Sequence, residues 1–162
     1  MATNLPSSLL DGTVESNKEL IREFPFLLPR DRYSGRVPKD YDYSYTKLDE
    51  MPRGWRKRLG LKLCAALKKR LIKENALDRF AIEDIKEEYG AMKVYTYGST
   101  RSIERLLIPS YEKMTERICC VCGENATKVS IVWTVPLCDK CANSSRPNSY
   151  VDIDYFYEGV NE

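Results

Sequence analysis

The sequence predicts an α+β fold, a small antiparallel sheet packed on helices with a compact cysteine-bearing appendage, and three patterns carry that prediction. Trp55, Leu59, Leu63, Leu67 and Leu71 recur at four-residue steps through one basic stretch, as the buried ridge of a helix. Phe80-Ala81-Ile82-Glu83-Asp84-Ile85-Lys86 and Met92-Lys93-Val94-Tyr95-Thr96-Tyr97 read as two strands around a turn at Tyr89-Gly90. Four cysteines then form two C-x-x-C knuckles, Cys119 with Cys122 and Cys138 with Cys141, with fifteen residues between the pairs. A C-x-x-C turn brings two sulfurs to one side of a tight loop, and two facing loops supply the four soft ligands that Zn²⁺ accepts. The appendage, 119–141, therefore reads as a four-cysteine zinc ribbon holding one structural zinc.

From the N-terminus, residues 1–15 are mostly polar and expected to be flexible, and an α+β core is expected over 16–118. Ser16-Asn17-Lys18-Glu19 has the form of a capping box, which predicts a short helix to about Glu23. Pro25 stops it, with Phe24 and Phe26 as apolar anchors. In Asp40-Tyr41-Asp42-Tyr43-Ser44-Tyr45-Thr46 the period of two predicts a strand with one aromatic face. Tyr41, Tyr43 and Tyr45 then either pack on the core or form a contact row with polar tips.

Charge is concentrated in the next element. Arg53 to Lys73 holds nine basic residues and no acidic one, although the whole chain has 26 basic residues against 24 acidic and a net charge of only +2. Pro52 suits the first turn of the predicted helix and Asn75 its end. Its outer face is either the solvated side of a core helix or an anion-facing surface made by Arg56, Lys57, Arg58, Lys62, Lys68, Lys69, Arg70 and Lys73.

After the hairpin, Gly98-Ser99-Thr100 offers a hydroxyl cap to a helix over about 101–117, kinked or divided by Pro109. Ile103, Leu106, Leu107, Tyr111 and Met114 are expected to cover one face of the hairpin. Between the knuckles, Lys128 to Thr134 is β-branched and aromatic, as in the strand of a ribbon. Cys120 has poorer ligand spacing than its neighbours, and Cys64 reads as a core thiol. Residues 142–162 are expected to form a linker and an aromatic-acidic C-terminal strand or tail. In that segment Tyr155, Phe156 and Tyr157 would serve either an edge strand of this fold or a peptide that adds to a partner's sheet.

Composition narrows the function. A closed four-cysteine site has no open position for water or substrate, and the chain contains no histidine, the commonest general base. The expectation is a protein that is not an enzyme and has no small-molecule substrate. No apolar run of about 18 residues is present and Met1-Ala2-Thr3-Asn4-Leu5-Pro6 lacks signal-peptide features, so no membrane is expected as a partner. Zinc-ready thiolates require a reducing compartment, which points to the cytoplasm.

The chain also resembles a widespread group of small bacterial and phage-encoded proteins with a K-E-K-[FY]-G-x-L-R-[FY]-Y element, a helix, a C-x-x-C-G knuckle and a later tryptophan followed by L-C-D. The matching residues are Lys86 to Tyr95, Cys119 to Gly123, Trp133 and Leu137-Cys138-Asp139, with Met51-Pro52-Arg53-Gly54-Trp55 upstream. Glu88, Met92 and Val94 depart from that pattern, and Cys141 stands where many relatives have histidine. The resemblance implies a zinc-bearing α+β domain of phage or mobile-element origin. It also leads to the expectation of a binding protein that docks on a larger protein assembly, as an inhibitor of a bacterial defence system. The competing expectation is a nucleic-acid-binding module that uses the basic helix 53–73.

Overall fold

A computed structural model describes residues 4–144 and 150–159. The predicted α+β class is what it shows: helices against one antiparallel hairpin, followed by a three-stranded ribbon. Helix α1, Val14–Glu23, begins three residues earlier than Ser16 implies, because Thr13 is the extended N-cap. Its hydroxyl accepts the Ser16 N–H and the Ser16 hydroxyl accepts the Thr13 N–H, both at 3.0 Å. The expectation of a flexible start fails in part. A 3₁₀ turn, Ser7–Leu10, buries Leu9 in the main core. Pro25 opens a second 3₁₀ turn that buries Phe26 and Leu27, and Phe26 meets Phe80 edge-on at 5.4 Å.

The tyrosine row is not a strand. Tyr43 has φ 62°, and the Ser44 N–H turns back to the Asp42 carboxylate at 3.0 Å, so a local turn displaces ladder pairing. Tyr41 sits between the rings of Tyr43 and Tyr45 at 4.9 and 5.6 Å and donates its hydroxyl to the Tyr45 carbonyl. This small cluster closes over α1, where Asn17 donates to the Tyr43 carbonyl at 2.8 Å.

The basic helix runs without a break through α2, Arg53–Trp55, a π turn, Arg56–Gly60, and α3, Leu61–Lys73. All five ridge residues are buried, Trp55 completely. A four-residue step drifts about 40° on an α-helix, and the wider π turn cancels that drift between Trp55 and Leu63. Asn75, at φ 52°, turns the chain out of the helix as expected.

Strands β1, Ala81–Glu88, and β2, Ala91–Tyr97, pair antiparallel, with Ile85 opposite Val94 and a bulge between Ile82 and Asp84. Ile82, Ile85, Met92 and Val94 face the core. Side chains bond to both outer edges of this two-stranded sheet. Ile85 N–H donates to Glu50, Val94 N–H to Glu112 at 3.0 Å, and Met92 N–H to the Thr115 hydroxyl at 2.9 Å.

Glu112 and Thr115 lie on α4, Ile108–Thr115, which continues from a π turn, Ile103–Leu107, just ahead of Pro109. That turn accommodates the proline and shifts the helix face. Ile103, Ile108 and Thr115 are buried, whereas Leu106 and Met114, expected on the hairpin, are exposed.

In the ribbon, β3, Lys128–Ser130, pairs antiparallel with β4, Pro136–Leu137, on one side and β5, Tyr150–Asp152, on the other. Helix α5, Asp139–Ser144, carries the second knuckle onward. The expected strand through Thr134 stops at Ser130, because residues 131–134 form a turn that Thr134 closes at φ 53°. The C-terminal segment does fold back as an edge strand of its own chain, but only over β5. Asp152 then caps α6, Ile153–Glu158, by accepting the Asp154 N–H at 2.9 Å. Part of the expected linker lies outside the described residues.

Candidate metal centre

The first knuckle follows directly from the end of the core, where Ile118 bridges to Asn125 across the turn. Cys119 N–H donates to the Glu124 carbonyl at 2.8 Å and Gly123 N–H to the Cys119 carbonyl at 2.9 Å, closing the loop around the sulfurs. Gly123 has φ +85°, a conformation open to glycine and costly for other residues. The second knuckle leaves β4 and enters α5, where the Cys141 N–H points at the Cys138 sulfur at 3.4 Å. Cys120 N–H donates to the Pro136 carbonyl at 3.1 Å and ties the two knuckles together.

Cys119, Cys122, Cys138 and Cys141 place their sulfurs within 4.8 Å of one another. The Cys122 and Cys138 sulfurs are 3.6 Å apart. A disulfide would need about 2.05 Å, while an ion bound at about 2.3 Å to four sulfurs in a tetrahedron separates them by roughly 3.8 Å. All six cysteines remain outside disulfides. The donor set and its spacing fit a closed four-thiolate metal ion.

Burial opposes ionisation of Cys119, yet backbone N–H groups of Cys122, Cys138 and Val121 hold its thiol down to about 7. Burial, then hydrogen bonding to Cys138, pushes Cys141 up. Cys120 faces the core, where burial raises it to about 12, and Cys64, on the buried face of α3, is raised further. Both lie outside the tetrad, as their spacing suggests.

Sequence reasoning missed how the knuckle is seated. Gly54 donates its N–H to the Cys120 carbonyl at 2.8 Å, and a Cβ at Gly54 would stand 2.2 Å from the Cys119 carbonyl oxygen. Trp55 donates its indole N–H to the Ile118 carbonyl at 2.7 Å, and Arg58 donates to the Gly123 carbonyl at 3.0 Å. The start of the basic helix is thus the platform of the first knuckle, and Pro52-Arg53-Gly54-Trp55 was its signal. A second joint lies at the hairpin turn, where a Cβ on Gly90 would meet the Thr134 carbonyl oxygen at 2.2 Å.

The other predicted surfaces separate. Among the basic residues, Arg56 pairs with Asp49, Lys68 with Glu23 at 2.9 Å and Arg70 with Glu74 at 3.7 Å. Lys57, Lys62, Lys69 and Lys73 are exposed and form no ion pair among the described residues. Tyr155 is exposed, whereas Phe156 and Tyr157 are half-buried and stacked edge-on, with Tyr157 over the Arg117 guanidinium. No described helix is long and apolar enough to cross a membrane. No family model, curated protein or solved structure matches the chain.

Proposed function

We propose that this is a non-enzymatic binding protein whose cysteine tetrad holds one structural zinc and whose ribbon presents an apolar contact loop to a protein partner. The observation that carries this reading is the tip between β3 and β4, where Ile131, Val132 and Trp133 are 58%, 69% and 75% exposed. Three adjacent large apolar side chains in solvent cost solubility and mark contact sites, and tryptophan is the residue type most enriched at binding hot spots. The tip is braced for such a task. Its backbone is held by the Trp133 N–H to the Ser130 hydroxyl at 3.3 Å and by the close seat of Thr134 on Gly90. The adjoining hairpin turn exposes Tyr89 as well. Zinc suits the site because four thiolates close its coordination shell and leave it a folding element.

Two measurements test the reading. Elemental analysis of protein purified without chelator is expected to give about one zinc per chain, and a metal-free folded protein would remove the ribbon assignment. Affinity capture from the native host, run in parallel with wild type and Trp133→Ser, is expected to lose specific proteins in the variant at unchanged melting temperature. Identical protein profiles from the two baits would reject the loop as the contact. The identity of the captured protein also decides the narrower role that the resemblance implies, inhibition of a bacterial defence system by a phage-encoded protein in the host cytoplasm.

A further inference from the structure

We propose that the outer face of the basic helix binds the phosphodiester backbone of a nucleic acid, at a site separate from the ribbon tip. The sorting of its cations carries the argument. Arg56 and Lys68 are spent on carboxylates of other segments and hold the helix to the fold, while Arg70 is paired with Glu74 at the end of its own helix. Three of the four exposed lysines of this helix that form no ion pair among the described residues share one face, and only Lys57 lies off it. At 100° per residue, Lys62, Lys69 and Lys73 fall within about 40° of one another, and the π turn brings Arg58 onto the same line. This line lies opposite Leu63, Leu67 and Leu71, which are buried. Between Lys62 and Lys69 stand Ala65 and Ala66, so nothing tall interrupts the stripe.

From Arg58 to Lys73 the stripe is about 22 Å long at 1.5 Å per residue. It ends against the first knuckle, where Arg58 reaches the Gly123 carbonyl. Glu74, the acid at its far end, is turned away to the Ser102 hydroxyl at 2.5 Å. A polyanion with one charge per about 1.7 Å of duplex axis meets such a stripe in any register. An acidic protein surface would need matched anchoring, and apart from Ile72 the stripe offers no exposed large apolar side chain on α3. Charge repetition without anchors favours a phosphate backbone over a protein or a membrane surface.

The test is fluorescence anisotropy of the full chain with a labelled duplex and a labelled single strand of about 20 nucleotides, titrated at salt from about 20 to 200 mM. Four contacts predict that log K falls against log salt with a slope of about −3.6 for duplex or about −2.8 for a single strand, and the slope identifies which form is bound. The triple variant Lys62→Gln, Lys69→Gln, Lys73→Gln is expected to reduce the slope to about −1 and weaken binding at least tenfold. Lys68→Gln with Arg70→Gln, which removes paired cations, should change the slope by less than about 1. Circular dichroism melting of both variants confirms that they fold. Absence of binding at the lowest salt, equal loss in the two variants, or tighter binding of a poly-glutamate peptide than of either nucleic acid would overturn the proposal. Trp133→Ser should leave this binding unchanged, which separates its outcome from that of the protein-contact loop.

Discussion

The helix–hairpin core and the ribbon differ in what holds them. Buried apolar side chains form one continuous cluster from Leu9 to Ile118, spanning α1, the basic helix, the hairpin and the segment around α4. The ribbon has two small groups instead, Cys119 with Leu137 and Ala142, and Ala126 with Val129 and Ile153. A fully buried Leu, Ile or Val contributes about 1.5–3 kcal/mol, while fixing each backbone residue costs about 1–2 kcal/mol. Three such side chains cannot order a segment of this length. The ribbon's own apolar interior therefore does not account for its order, and an ion held by the cysteine tetrad, together with contacts borrowed from the core, would supply what is missing.

Removing the metal is the strongest way to break that comparison. Structural zinc contributes an apparent 10–16 kcal/mol or so to small domains that fold around it, far more than any side-chain contact in this ribbon. With Cys119→Ser, or with the ion stripped by chelator, amide protection measured by hydrogen exchange is expected to vanish over 119–141 and 150–158. Protection over α3 and the hairpin should remain. Loss of protection in both regions in a single step would show that core and ribbon form one cooperative unit.

The same contrast explains what was legible in the sequence. The ridge from Trp55 to Leu71 and the hairpin around Tyr89-Gly90 are periodic because many side chains on one face meet one core, so local pattern and tertiary burial agree. The tetrad was legible for a different reason, since ligand chemistry dictates both residue type and spacing. The tyrosine row misled because alternation is shared by strands and by turns built on Asp42 and Ser44. Leu106 and Met114 were misplaced because a π turn inserts a phase shift that α-helical periodicity does not contain. The platform under the first knuckle and the exposed ribbon tip both depend on contacts far apart in sequence. Only the short Gly54-Trp55 pair hinted at the first.

A middle-sized effect is expected from the C-terminal strap. Lys128, Val129 and Ser130 pair with Asp152, Val151 and Tyr150, and Ile153 is buried on Val129 and Ala126. Arg117 also holds Asp154 at 2.5 Å, tying α6 to the end of the segment that carries α4. Truncation after Asn148 removes all of this. The loss of buried Ile153 alone costs about 2–5 kcal/mol, so thermal denaturation should show a lowered ribbon transition with the core transition retained. An unchanged melting curve would mean that β5 and α6 add nothing to the ribbon and would weaken the case that it borrows stability.

The smallest of the three effects is the most diagnostic, because its sign is opposite to what the helix alone predicts. Gly54 lies inside a helix, where alanine is normally favoured by about 0.5–1 kcal/mol. Here a Cβ would stand 2.2 Å from the Cys119 carbonyl oxygen, 2.6 Å from the Gly123 nitrogen and 2.7 Å from the Cys120 carbonyl carbon, all of them backbone atoms that no side-chain rotation can clear. Gly54→Ala must therefore push the first knuckle off its platform and lengthen the 2.8 Å hydrogen bond from Gly54 N–H to the Cys120 carbonyl. The expected cost is about 1–3 kcal/mol, in the range of overpacking in a tight interior. Gly60 supplies the control on the same helix, since its nearest neighbours to an added Cβ are side-chain atoms at 3.4 and 3.5 Å. Gly60→Ala should be neutral or stabilising in the same denaturant titration, while Gly54→Ala should be destabilised and bind its metal more weakly. Were Gly54→Ala as stable as Gly60→Ala, the knuckle would not be seated on the helix, and the ribbon would owe its position to the hairpin joint at Gly90 and the Arg117–Asp154 tie.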